Sequence, residues 1–189
     1  MKGKLRLMSE PVIRAARDQD IERIREIAKQ AWAPIYQYFR EQMGEDLWER
    51  EHPGEPLEQK ADSVERHFRE RPDEAFVTEV DGEVVGFCTL MLRDNGVGVV
   101  GNNAVAPEAQ GKGVGSMQYE ECLQRMREAG MAYATVHTGL DPAHAPARRA
   151  YEKVGFRHEG SLRESVFREG IYYDMVVMGI LDREFERRD

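Results

Sequence analysis

Ala106-Pro107-Glu108-Ala109-Gln110-Gly111-Lys112-Gly113-Val114-Gly115-Ser116 joins a strand-like apolar run to a segment with helical periodicity. Three glycines in five residues open backbone angles closed to other residues and let amide N–H groups converge beside a helix N-terminus. Such a turn is an anion cradle that suits a pyrophosphate, with Lys112 adding charge at its rim. Glycine spacing alone leaves a plain strand-to-helix turn open. Two other phosphate motifs fail. Lys112 is followed by Gly113 where a nucleotide P-loop needs Ser or Thr, and Ser116 stands where the third glycine of G-x-G-x-x-G belongs.

Outward from this loop the elements alternate in type. Val97–Val105 reads as the strand before it, and residues 113–129 as the helix after it, with Val114, Met117, Cys122, Leu123 and Met126 on one face and Gly130 at its end. Upstream, Ala75–Val80 and Glu83–Leu92 are joined by Asp81-Gly82, a two-residue turn suited to a tight hairpin. The second arm is apolar on both faces, as a central strand covered from both sides requires. The N-terminal part predicts a short strand at Val12-Ile13, then a helix capped by Asp18 with Ile21, Ile24, Ile27, Ala28 and Ala31 on its apolar stripe. Aromatic residues extend this helical region to His52-Pro53, and a second helix covers residues 57–69. Downstream come a strand at 132–137, a short helix at 146–154 ended by Gly155, and a last strand, Ile171–Leu181. We expect a single mixed α/β domain over residues 10–184, with 1–9 as an N-terminal extension and 185–189 as a C-terminal tail.

Composition narrows the function classes. A chain of 189 residues fits one domain. A net charge of -8 repels nucleic acid unless a basic patch overrides it, and the charges are interspersed rather than clustered. The two cysteines, Cys88 and Cys122, are far apart in sequence and fit small core residues in a reducing cytoplasm better than a disulfide framework or thiolate metal site. No run of 18 apolar residues occurs, so no membrane association is expected. His137, Asp141 and His144 lack the fourth ligand or tight His pair of a metal site, and no metal is expected.

Gln110, Gly113 and Gly115 fit Q/R-x-x-G-x-G/A, Val105-Ala106-Pro107 fits V-x-P, and Ala147, Tyr151, Gly155 and Phe156 fit A-x-x-x-Y-x-x-x-G-F. On these motifs the chain resembles the GNAT superfamily of N-acetyltransferases, with element order agreeing over most of its length. The resemblance implies an α/β (α+β) fold: a central mixed, mostly antiparallel sheet of about six or seven strands, flanked by about four helices. It implies acetyl-CoA as cosubstrate and direct acetyl transfer to a primary amine of a small molecule or peptide, without a covalent enzyme intermediate. Ala104, Val105 and Ala106 are then expected to hold the pantetheine arm. The backbone of Gln110, Gly111, Lys112, Gly113, Val114, Gly115 and Ser116 is expected to hold the pyrophosphate. A homodimer through the late apolar strand at 171–178 is a further expectation, although an internal strand explains its character equally well.

Acetyl transfer to an amine needs an oxyanion stabiliser, an acid and a proton acceptor. The resemblance points to the Val105 N–H as the first and Tyr151 as the second. A phenol with an ordinary pKa of about 10 is protonated at neutral pH and donates to a thiolate. For the third, relatives often carry a glutamate on the strand before the loop, but this chain has Asn102 and Asn103, which accept no proton near neutral pH. A water or another residue must serve. His137 is one candidate, with a structural or exposed histidine as the alternative. His144 stands where relatives often place a cofactor-contacting asparagine. Trp32, Tyr36, Phe39 and Trp48, with Glu41 and Glu45 nearby, are candidates for the acceptor pocket or simply a core stripe. The missing glutamate also leaves a noncatalytic acyl-CoA-binding module as the competing reading.

Overall fold

Asp81 and Gly82 both take positive φ, 53° and 86°, and close the hairpin between β2 (Ala75–Val80) and β3 (Glu83–Leu92) as a two-residue left-handed turn. A computed structural model describes residues 10–140, 142–168 and 171–184. Its remaining strands are β1 (Val12–Arg14), β4 (Val97–Val105), β5 (Tyr133–Gly139), β6 (Arg157–Arg168) and β7 (Ile171–Leu181). They form one sheet in the order β1-β2-β3-β4-β5-β7-β6, antiparallel throughout except between β4 and β5. Four longer helices flank it: α1 (Ile21–Met43), α3 (Pro56–Glu70), α4 (Val114–Glu128) and α5 (Ala145–Lys153). The seven-residue α2 (Glu45–Glu51) follows a break at Gly44, whose φ is 80°.

β6 is the strand that periodicity misses. Arg157-His158-Glu159-Gly160-Ser161-Leu162-Arg163-Glu164 has no apolar alternation, because β6 is an edge strand exposed along most of this stretch. It pairs with β7, which is paired to β5 on its other side, so the apolar character of β7 is that of an internal strand. At the start of α1 the capping position belongs to Asp20 rather than Asp18. Asp20 is buried, accepts from the Arg17 N–H at 2.7 Å, and binds Arg14 through both oxygens at 2.7 and 3.0 Å.

Each sheet face carries its own core. On one, Ile24, Ile27 and Ala28 of α1 and Val64 and Phe68 of α3 cover Val77, Phe87 and Ala104. On the other, Tyr119, Cys122, Leu123 and Met126 of α4 and Tyr151 of α5 cover Phe76, Cys88, Leu90, Val136 and Met178. Burying one such large apolar side chain contributes roughly 1.5–3 kcal/mol. The two cysteines, distant in sequence, meet here: both are wholly buried free thiols, with Sγ atoms 3.3 Å apart in a hydrogen bond.

Two irregularities open the sheet at its centre. The parallel ladder of β4 and β5 runs only from Val97–Tyr133 to Val99–Thr135, after which the strands part. Beside this point the β3–β4 register shifts between Cys88 and Leu90, so β4 carries a bulge at Gly101 and Asn102 opposite Thr89. Thr89 Oγ1 accepts the Asn102 N–H at 2.8 Å. A Cβ on Gly101 would lie 2.4 Å from that oxygen, so the close approach requires glycine.

Candidate active site

The parted ends of β4 and β5, the glycine loop, α5 and the middle of α1 enclose a cleft of about 770 Å³. The backbone of β4 faces it in a definite way. The Ala106 N–H donates to Val85 O at 2.8 Å, and Val105 and Ala104 oppose Gly86 and Phe87. Because an antiparallel ladder alternates, the N–H and C=O of Val105 turn away from β3 toward the gap. Gln110 Nε2 donates to this Val105 carbonyl at 3.0 Å, tying the loop to the strand end.

The loop then turns into α4. Gly111 and Gly113 have φ of 74° and 86°, and Gly113 is the residue before the first helical turn. The opening N–H groups of a helix have no intrahelical acceptor, so those of Val114, Gly115 and Ser116 point to the cleft end as a cradle for negative charge. Gln110, Gly111, Gly113, Val114, Gly115 and Ser116 all line the cleft, as do Ala104 and Val105. Two of the expected contact residues stand back from it. Ala106 is fully buried with its N–H engaged by β3, and Lys112 turns its ammonium to Glu108 O at 2.8 Å.

Tyr151 comes from α5. Gly155, with φ of 104°, ends that helix, and the turned chain packs Phe156 against Tyr151 with ring centroids 5.7 Å apart. Tyr151 is 5% exposed yet lines the cleft. Burial pushes its phenol well above the ordinary range, and the neighbouring Tyr119 hydroxyl, placed to donate to a phenolate there, acts in the opposite sense. His137, exposed on β5, and His144, just before α5, line the same cleft. No carboxylate is among the described lining residues. Asp141, weighed with His137 and His144 as a metal ligand, lies outside the described residues; among those described, no group of three or more His, Cys, Asp or Glu forms a metal-binding cluster.

A second cavity of about 470 Å³ adjoins the first and shares Trp32, Ile35, His137, Thr138 and His144 with it. Tyr36 and Phe39 line it, whereas Trp48 is 7% exposed and stacks on His52 at 3.9 Å, a packing role. Glu41 and Glu45 bond Gln37 and Arg40 at the surface and do not line the cavity. Its charged described residues are Asp174 and Lys60, and Lys60 lies 4.1 Å over the Trp32 ring while donating to Asn102 Oδ1 at 2.7 Å.

Sequence reasoning did not find Tyr119, Asn103 or Gln118 as a group, nor Arg149 and Lys153, which add positive charge to the cleft. The spacing of Arg149 and Lys153, one helical turn apart on α5, is the one signal that was present.

Residues 32–156 match the family model described as the acetyltransferase (GNAT) family. The chain is 32% identical over 124 residues to the SPbeta prophage-derived uncharacterized N-acetyltransferase YokL of Bacillus subtilis, covering 65% of this chain and 70% of that protein. It is 26% identical over 147 residues to the spermidine N(1)-acetyltransferase of Escherichia coli K12, covering 71% and 73%. The structure of yncA from Salmonella typhimurium with its cofactor acetyl-CoA superposes with a TM-score of 0.67 over 96% of this chain and 99% of that one. At 18% identity this is a likeness of fold.

Proposed function

The chain belongs to the acetyltransferase (GNAT) family, and from that premise we propose that it passes the acetyl group of acetyl-CoA directly to a primary amine of a small molecule or peptide. The observation that carries this reading is the gap between β4 and β5, with the Val105 N–H facing into it, helix-terminal amides at one end and Tyr151 in its wall. The cleft suits the donor: a backbone ladder position for an extended arm, and a cradle at Gln110 to Ser116 for a pyrophosphate. When bound, acetyl-CoA supplies an acyl group activated as a thioester and a sulfur leaving group.

The residues divide the work. The Val105 N–H donates to the oxygen where negative charge develops. Tyr151 holds its proton because burial disfavours the phenolate, and it delivers that proton to the departing sulfur. His137, shared by the two cavities, accepts the proton released by the attacking amine. His144, also shared by the two cavities, contacts the cofactor. The adjoining cavity, walled by Trp32, Tyr36 and Phe39, receives the acceptor. The free cysteine thiols suit a cytoplasmic setting, and no helix among the described residues is long and apolar enough to cross a membrane.

An amine panel with acetyl-CoA, read by free CoA release and product mass, tests the proposal. An N-acetylated product supports it. Acetyl-CoA that raises the melting temperature while every amine is left unmodified transfers support to the noncatalytic acyl-CoA-binding reading, which Asn103 in place of an acidic residue favours. Absence of any thermal shift rejects acetyl-CoA as the ligand.

A further inference from the structure

A buried polar chain runs from β2 through α4 to the cleft. Gln118 Nε2 donates to Thr78 Oγ1 at 3.0 Å, Asn103 Nδ2 donates to Gln118 Oε1, and the Tyr119 hydroxyl donates to Asn103 Oδ1 at 2.7 Å. Thr78 and Gln118 are wholly buried and Tyr119 is 1% exposed. Gly86 makes the room, since a Cβ there would lie 2.6 Å from Gln118 Nε2. Each amide is thereby fixed in one orientation. Asn103 has its nitrogen engaged by Gln118, so it presents its oxygen to Tyr119 and can only accept.

Tyr119 stands between this chain and Tyr151. The two rings are 4.3 Å apart, inclined by 32°, and both residues line the cleft. The hydroxyl of Tyr119 has one proton and two acceptors within its surroundings. In the resting protein the proton points to Asn103. A buried phenolate on Tyr151 would be the stronger attractor, because hydrogen bonds to charged acceptors are roughly twice as strong as neutral ones.

We propose that Tyr119 is a positioning residue for acetyl transfer: its O–H points to Asn103 Oδ1 at rest and turns to Tyr151 Oη as Tyr151 gives up its own proton. The inference rests on the reading of Tyr151 as the acid. In the step, the O–H bond of Tyr151 breaks, its electron pair stays on Oη, and the proton goes to the departing sulfur. The O–H bond of Tyr119 rotates and does not break. A solvent proton then returns to Tyr151, and Tyr119 turns back to Asn103. Asn103 cannot take up a proton near neutral pH, which is why the change at Tyr119 is a rotation and not a transfer.

The test is a cycle of Tyr119→Phe, Tyr151→Phe and the double variant, measured by single-turnover rate, by acetyl-CoA affinity in calorimetry, and by urea unfolding of the unliganded proteins. Tyr151→Phe is expected to slow the single turnover by about 100-fold, within the usual contribution of a general acid. Tyr119→Phe is expected to slow it about tenfold, the effect of one hydrogen bond to a charged group, with acetyl-CoA affinity unchanged and no further loss in the Tyr151→Phe background. Urea unfolding of the unliganded variants establishes that each is folded, so that a rate loss is not a loss of folded protein. Equal rate losses from Tyr119→Phe in both backgrounds, or no loss in either, overturn the proposal and leave the acid reading standing. A wild-type rate in Tyr151→Phe removes the acid reading and the proposal together. Should Tyr119→Phe fail to fold, Gln118→Leu replaces it. Freeing the Asn103 amide to turn over should slow the reaction only where Tyr151 is present, and equal slowing in the Tyr151→Phe background overturns the proposal.

Discussion

Val99 and Thr135 form the last rung of the parallel ladder, and two residues further along β4 the Gly101 bulge turns the strand away from its neighbour. The site exists because these strands stop pairing. Gly101→Val places side-chain atoms against Thr89 Oγ1 and forces the bulge to shift. Overpacking of this kind is expected to destabilise by about 1–3 kcal/mol in urea unfolding, together with a smaller acetyl-CoA-induced rise in melting temperature. Loss of stability with an undiminished ligand shift would separate the bulge from the cleft.

The three loop positions should respond unequally. Gly113→Val puts a branched residue at φ of 86° and should cost at least about 1 kcal/mol of stability, along with most of the acetyl-CoA affinity. A Cβ at Gly115 meets nothing closer than Val105 Cγ2 at 3.9 Å, so Gly115→Ala should fold normally and lose affinity only if backbone approach to the ligand is tight. Lys112→Ala should weaken binding modestly, since that ammonium is turned to Glu108 O. Calorimetry on the three variants would show this order, and similar losses throughout would contradict a cradle made of backbone.

His137 and His144 should separate by parameter. If His137 takes the amine proton, His137→Ala lowers the single-turnover rate by about 100-fold and spares acetyl-CoA affinity. His144→Ala should do the reverse. A His137 variant that turns over normally would hand the proton to water.

The Arg14–Asp20 pair makes stability depend on acid. The Arg14 guanidinium, bound through both Asp20 oxygens, holds that carboxyl below the usual carboxylate range, with burial opposing it. A lowered folded-state pKa means the contribution is complete above the unfolded value of about 3.9 and is lost as pH falls through the lower folded value. At neutral pH, Asp20→Asn should cost about 1–3 kcal/mol, and the gap between variant and parent should close in strong acid. A gap that is constant across pH would show that the geometry of the Asp20 hydrogen bonds to Arg14 and the Arg17 N–H, not its charge, is the contribution of Asp20.

Cys122 hydrogen-bonds Cys88 in the core, and this contact together with burial raises its thiol well above the ordinary range. Thiolates, not thiols, attack labelling reagents. Both thiols are wholly buried, so native protein should react at neither cysteine on the timescale that suffices for unfolded protein, and rapid native labelling would mean that this core opens.

Much of the fold was legible because local chemistry and position agree. Asp81-Gly82, Gly130 and Gly155 each mark a required turn, and the apolar run of β3 marks its central place. β6 was hidden because a strand exposed at the sheet edge needs no alternation. The cleft-lining loop was readable because its geometry is encoded within seven consecutive residues. The Thr78–Gln118–Asn103–Tyr119 chain was not, since its partners lie 40, 15 and 16 residues apart and meet only through the sheet. Cys88 and Cys122 illustrate the same limit: their types predicted burial but nothing predicted their contact.

The space left by Gly86 reaches beyond packing, into which substitutions must be made together. A larger residue at position 86 evicts the Gln118 amide, which unfixes Asn103 and releases Tyr119. Positions 78, 86, 103, 118 and 119 are thus physically coupled. An acid introduced at 103 should therefore need compensating changes at the other four, and a variant that exchanges all five should function where a single exchange does not.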